Sequence, residues 1–342
     1  MNYSFGQSNQ ELFDELVCFK RNASAQITQS PLSPTALYDD SKEVPRQLKG
    51  EQFIQYLRCR FKGHEPTSII RLVDGEGSFL ALTELKGYPA IKAVLGARIG
   101  PHFFGSHASE MKQEEFEQIG SLIKDALETA DIIGVPSAID LASARTKLER
   151  DWFAGHPAGT AQPSDLYSTE SLRGFVALTV TFFIASQAVD RWRDLLTTFS
   201  GLNSWLLWEI WRLVLEAPSS RRFVGVVTCF PEFEDRLTRR LSRGQVAVKS
   251  YLVPPRGADA NLSEYPHHYP DAYNSICRNV AVPFKGALFI VGAGPLGKVY
   301  CQRLKELGAI AIDMGSALDL YLGRVTRDWH SQDLIKLHRL PE

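Results

Sequence analysis

Ala287-Leu288-Phe289-Ile290-Val291-Gly292-Ala293-Gly294-Pro295-Leu296-Gly297 is an apolar run that ends in a glycine-rich turn. The run reads as a buried strand. Leu296 to Leu307 has helical spacing, and Ala309-Ile310-Ala311-Ile312-Asp313 is a second apolar strand. Strands that are apolar at every position, instead of alternating with polar residues, are covered on both faces, as parallel strands joined by helices are. The same alternation runs outward in both directions. Glu51 to Phe61 predicts a helix, broken by His64-Glu65-Pro66 ahead of a strand ending at Val73. Glu114 to Ala130 predicts a helix, and Asp131 to Pro136 a short strand. Arg222 to Thr228 and Val246 to Val253 predict strands around a helix from Glu232 to Ser242, with a further helix from Asp271 to Asn279. The fold class is therefore α/β: a Rossmann-like, mostly parallel sheet flanked by helices. Such sheets bind ligands at the carboxyl ends of their strands, where Asp74, Pro136, Thr228, Gly292 and Asp313 fall.

One of those ends is charged. Ser68-Ile69-Ile70-Arg71-Leu72-Val73 runs into Asp74-Gly75-Glu76, an acid–glycine–acid triplet. With strand-like backbone, residues two apart point the same way, so both carboxylates converge. Two hard oxygen ligands suit Mg2+ or Mn2+ and, through the cation, a diphosphate. The alternative is a polar strand-to-helix turn in which one acid caps the next helix. Arg71 either meets the diphosphate or forms a salt bridge to one of the acids.

The turn Gly292 to Gly297 has two readings of its own. In the strand–GxGxxG–helix context, glycines let the backbone approach a phosphate at a helix N-terminus, and Asp313 closes the next strand where a dinucleotide fold places its ribose-binding acid. An NAD(P)-dependent oxidoreductase is one outcome. Pro295 removes one N–H donor, and only Met314 to Glu342 remain for the second half of a dinucleotide fold. A nucleotide-sugar site uses the same physics, and tight helix–strand packing is the structural alternative.

Composition narrows the classes. The net charge is −1 over 342 residues, so no electrostatic footprint for nucleic acid is present. Five scattered cysteines without a CxxC pair fit reduced thiols and a cytoplasmic location. The N-terminus reads without a signal peptide. Phe175 to Val189 is apolar but carries Thr179, Thr181, Ser186 and Gln187, and it falls short of the roughly twenty residues a spanning helix needs. It reads as a buried helix. Residues 1–48 form a weakly specified arm, with a short helix at Glu11 to Lys20 and a loop from Asn22 to Lys42, 49–330 the main domain, and 331–342 a tail. Within the domain, about 165–217 is a helical insertion rich in tryptophan (Trp192, Trp205, Trp208, Trp211), which either packs as a buried block or docks a partner or the bilayer surface peripherally.

The chain resembles the GT-D class of bacterial glycosyltransferases, whose hallmark Arg-x-x-Asp-x-Glu matches Arg71-Leu72-Val73-Asp74-Gly75-Glu76. The similarity continues through Ala130 to Pro136, Phe289 to Gly297 and Ala311 to Asp319, spanning about residues 50 to 327. It implies metal-assisted transfer from a nucleotide-diphosphate sugar, most simply a UDP-sugar, to a glycan, glycoprotein or lipid-linked acceptor in surface glycoconjugate assembly. It places Asp74 and Glu76 at the metal and the donor diphosphate. Gly75, Gly292, Gly294, Pro295, Asp313, Gly315 and Ser316 are the expected lining of the donor pocket. An inverting transfer also needs a base. His268 is the candidate, with His267, Asp313 and Asp319 behind it, and His102 and His107 less well placed. A non-catalytic nucleotide-sugar-binding or scaffold protein is the third class.

Overall fold

The computed structural model describes residues 9–29, 50–135, 138–153, 166–191, 196–199, 206–257, 262, 264–326 and 330–342. In chain order the helices and strands are α1 (Asn9–Gln29), α2 (Gly50–Gly63), β1 (Thr67–Arg71), α3 (Asp74–Glu84), α4 (Pro89–Phe104), α5 (Gln113–Thr129) and β2 (Ile132–Val135). These are followed by α6 (Ala138–Leu148), α7 (Leu166–Arg191), β3 (Leu196–Phe199), α8 (Leu206–Glu216), β4 (Phe223–Thr228), α9 (Phe233–Leu241) and β5 (Ala247–Leu252). The last are α10 (Tyr273–Asn279), β6 (Leu288–Gly292), α11 (Gly297–Glu306), β7 (Ile310–Asp313), α12 (Ala317–Tyr321) and α13 (Gln332–His338).

The strands form one seven-stranded sheet in the order β3-β2-β1-β7-β6-β4-β5, parallel throughout. The apolar runs explain why. Ile69, Ile132, Leu288, Ile290, Ile310 and Ile312 join one core cluster. Their neighbours Ile70, Ile133, Phe289, Val291 and Ala311 join the cluster on the other face. Strands β1, β2, β6 and β7 thus bury both their faces, whereas edge strand β5 has no fully buried residue, and the α/β fold expected from the sequence is the fold observed.

Helix α3 has no polar face, and residues 75–82 are all buried. Burial on every side requires close neighbours, and glycines provide them. A Cβ on Gly77 would collide with the Ala177 carbonyl of α7, and one on Gly120 of α5 would come within 2.7 Å of the Phe79 carbonyl. Phe175, Val176, Ala177 and Val180 are buried in the same layer, so the apolar run of α7 is a core helix. No helix among the described residues is long and apolar enough to cross a membrane.

Three regions depart from expectation. The N-terminal arm contains α1, longer than the short helix expected at Glu11 to Lys20, and its Leu12, Leu16, Phe19 and Ala23 are buried in the main core. Both carboxylate oxygens of Glu15 accept backbone N–H bonds at the start of α4, from Ala90 and Ile91. Four apolar residues at helical spacing carried that signal among polar neighbours. The block expected to be a helical insertion also carries β3, the edge strand paired with β2, so it completes the sheet. Trp211 packs on Tyr321 at 5.4 Å, whereas Trp192 and Trp205 lie outside the described residues. The tail contains α13, with Ile335 and Leu340 buried against the second core. All five cysteines are free thiols.

Candidate active site at the carboxyl ends of β1, β6 and β7

Strands β1 and β7 are neighbours in the sheet although they come from opposite ends of the chain. Helix α11, which joins β6 to β7, packs against α5, which lies between β1 and β2, so both connections lie on one face of the sheet and leave from its carboxyl edge. The turns after β1, β6 and β7 meet there.

The turn after β1 does not continue as strand. Helix α3 begins at Asp74, so Asp74 and Glu76 are its first and third residues, and on a helix positions two apart diverge. Glu76 turns inward and is 3% exposed. Its Oε2 accepts the backbone N–H of Val73 at 3.0 Å, capping its own helix from the third position. Its Oε1 is hydrogen-bonded to Lys298 Nζ. Asp74 turns outward, 45% exposed, and Oδ2 accepts a 2.8 Å bond from Arg173 of α7. The convergence of both acids on one cation, expected from strand geometry, is thereby overturned. Among the described residues no three His, Cys, Asp or Glu side chains are grouped to hold a metal. Because both Glu76 oxygens already have partners, a Mn2+ or Mg2+ chelated by Asp74 and Glu76 does not fit this donor set.

The cation that Glu76 meets is itself fully buried. Lys298 lies in the first turn of α11, where the helix dipole disfavours positive charge. Two acids overcome this: Glu76 and Asp313, whose Oδ2 lies 2.8 Å from Nζ. Burial alone would lower the Lys298 pKa, but the carboxylates of Asp313 and Glu76 outweigh it and hold it above the ordinary lysine value. Asp313 is as buried as Lys298. Its Oδ1 accepts the N–H of Gly315 at 3.1 Å, and its Oδ2 also faces Arg71 Nε at 3.7 Å. With both oxygens occupied, Asp313 does not present a carboxylate to a ribose, as a dinucleotide site requires.

Gly315 has a positive φ of 48°, and a Cβ there would collide with the Arg71 guanidinium. The glycine is needed because the arginine lies directly on it. Arg71 Nε is buried without a hydrogen-bond partner, 3.7 Å being too long for one. In the glycine turn the two functions proposed from sequence separate by position. Gly292 is a packing glycine, since a Cβ would strike Leu318. Gly294 has φ 57° with nothing within 4 Å of a Cβ, so it faces open space. Pro295 and Phe103 flank Gly75, at 3.8 and 3.1 Å from a hypothetical Cβ, and form one wall. Ser316 follows Gly315 and is half-buried ahead of α12.

The histidines lie elsewhere. His267 stacks on His107 at 4.2 Å with its Nε2 3.1 Å from Glu110. His268 stacks on Tyr300 at 6.1 Å, and its Nε2 is buried without a hydrogen-bond partner. Burial pushes its pKa down to about 4, which leaves a neutral and weakly basic imidazole. Among the described residues it makes no hydrogen bond or ion pair with Asp74, Glu76, Lys298 or Asp313, so it is not placed as their base. His102 packs on Phe103, and Asp319 accepts from Thr326 Oγ1 at 3.0 Å within its own loop. Pro136 lies outside the described residues.

Arg173 and Lys298 were missed from sequence. Arg173 sits in the middle of an apolar helix with nothing local to mark it. Lys298 did carry a signal, a cation in the first turn of a helix, which demands a nearby acid.

No family model matches the chain, and no curated protein is similar to it. Two solved structures are similar in trace. One, domain of unknown function 1792, described as having a distinct glycosyltransferase fold, has a TM-score of 0.41 and 14% identity over 84% of this chain and 89% of that one. The other, the selenomethionine-substituted structure of domain of unknown function 1792, has a TM-score of 0.40 and 13% identity over 86% of this chain and 95% of that one. Likeness at this distance decides neither fold nor function, which are argued from the residues of this chain.

Proposed function

We propose that the crevice binds a nucleotide-diphosphate sugar and transfers the sugar to a hydroxyl of a glycan, glycoprotein or lipid-linked acceptor. The observation that carries this reading is that Lys298, Glu76 and Asp313 tie the turn of Arg71, whose buried Nε lacks a hydrogen-bond partner, to the turn of the open, positive-φ Gly294. Diphosphate needs both: a guanidinium fork for its oxygens and backbone that can approach it closely. The oxidoreductase reading is weaker because Asp313 is closed off by Lys298, Gly315 and Arg71.

In the transfer, the anomeric C–O bond breaks and its electron pair leaves with the diphosphate, while the acceptor oxygen bonds to the anomeric carbon and gives up its proton to the Asp74 carboxylate. Arg71 stabilises the charge that develops there, and it is held in place by Gly315 beneath it and by Asp313. Asp74 is the exposed carboxylate of the crevice. Anchored by Arg173, it is positioned to accept a hydrogen bond from a sugar or acceptor hydroxyl. No step is assigned to a divalent cation.

Thermal shift with UDP-, GDP-, ADP- and CDP-sugars beside NADH tests the reading, since a ligand that binds only the native state raises Tm. At least one nucleotide sugar is expected to raise Tm, NADH is not, and Arg71→Met is expected to weaken the effective sugar at least about tenfold. Stabilisation by NADH alone would replace the transferase reading with the oxidoreductase one.

A further inference from the structure

Every acid near the crevice already has an organic cation. Asp74 has Arg173, while Glu76 and Asp313 share Lys298, with Arg71 beside Asp313. The Lys298 arrangement is the one with a consequence. Its ammonium sits between one oxygen of Glu76 and one of Asp313, and lies 3.5 Å from the carbonyl of Gly294 in the glycine turn. Three oxygens from three separate turns therefore surround one compact positive charge, which is the environment that a hard divalent cation takes. An ammonium supplies one positive charge where Mn2+ supplies two, and its three N–H donors point at fixed acceptors.

We propose that Lys298 Nζ is a built-in replacement for the divalent cation at the acid–glycine–acid element, so that a nucleoside diphosphate binds this crevice without metal and Glu76 anchors Lys298 instead of ligating an ion. Only the choice of nucleoside diphosphate rests on the transferase reading; the replacement itself rests on the three oxygens around Nζ. A metal reaching Glu76 would have to displace the ammonium from one of its two carboxylates, and a buried charge that loses a partner is disfavoured. Arg71, more exposed than Lys298, is left to meet the phosphates.

Manganese paramagnetic resonance on the intact protein, with Mn2+ alone as probe, gives the direct test. Wild type is expected to leave added Mn2+ free, whereas Lys298→Ala, which exposes Glu76 and Asp313 to each other across a vacated position, is expected to bind one Mn2+. Calorimetry with UDP adds a second readout: affinity is expected to change by less than about threefold between EDTA and saturating MnCl2. One Mn2+ bound by wild type and lost in Glu76→Gln overturns the inference. A tenfold or larger loss of UDP affinity in EDTA also overturns it, as does a folded Lys298→Ala that ignores Mn2+. If Lys298→Ala does not fold, the two wild-type measurements decide alone. Failure of UDP and every other nucleoside diphosphate to bind, with the manganese results as expected, removes the transferase reading and leaves the replacement standing.

Discussion

Helix α11 separates two buried polar regions that deal with desolvation in opposite ways. On one side Lys298 reaches Glu76 and Asp313, and charge is retained because it is paired. Two residues on, Tyr300 faces the other way, into a cluster with Tyr273 and His268. There nothing ionises. Burial raises the pKa of Tyr300, of Tyr273 and of Tyr269, and pushes His268 down to about 4. The charged side ties together the turns after β1, β6 and β7, which are the turns that frame the crevice. The neutral side holds the 264–273 segment against α11 through ring contacts. Buried groups shared between turns of the sheet mark the candidate site, whereas buried groups shared between aromatic rings mark packing.

The contrast predicts unequal costs. Lys298→Met keeps most of the side-chain volume but strips the buried carboxylates of Glu76 and Asp313 of the ammonium they share, with Arg71 left beside Asp313 alone. Removing one partner of a buried pair is expected to cost about 4 kcal/mol, read as a lower urea midpoint. A loss under about 1 kcal/mol would mean that the pairing is as weak as one on the surface. Because the Lys298 pKa lies above the ordinary lysine value, its contribution is fully present below that value and fades only as pH rises through the raised one. Changes of pH about neutrality should not move it.

The neutral side responds at the other end of the scale. His268 has a folded pKa of about 4 against an ordinary 6.5, so its contribution is present above 6.5 and is lost as pH falls towards 4. Discounted for partial exposure of the ring, the loss is expected to be about 2 kcal/mol. Urea titrations at several pH values in that window, with His268→Gln beside wild type, check it. Equal slopes for the two proteins would sink the assignment to His268.

The sequence carried the sheet well and the site only in part. Strands β1, β4, β6 and β7 were legible because parallel strands buried on both faces have no polar position to confuse the pattern. The four-residue strand β3 escaped because it is short and lies between two tryptophan-rich helical stretches. In the site, Arg71 and Gly315 were both singled out, and the guanidinium lies directly on the glycine. Glu76 was anticipated at the right place but with the wrong partner. The reason is one backbone decision: helix α3 starts at Asp74 instead of two residues later, and this sends the two acids to opposite sides. Period-2 and period-3.6 readings of a three-residue stretch cannot be told apart by pattern, since neither completes a repeat. His268 looked like a base because adjacent histidines are chemically suggestive, but what decides their role is the ring each one faces.

The smallest effect is the one that tests the neutral side most directly. Tyr300 is 1% exposed, and its hydroxyl finds no hydrogen-bond partner among the described residues. A buried hydroxyl left unmatched lowers stability instead of adding to it, so its removal should recover what desolvation costs. The ring contacts with Tyr273 at 5.6 Å and with His268 do not depend on that oxygen. Tyr300→Phe is therefore expected to leave stability unchanged or raise it by up to about 1 kcal/mol. A loss greater than that would show that the hydroxyl has a partner and that this region, like the charged one across α11, is held by a polar network. The same helix would then carry two such networks, and charge alone would no longer distinguish the site from the packing around it.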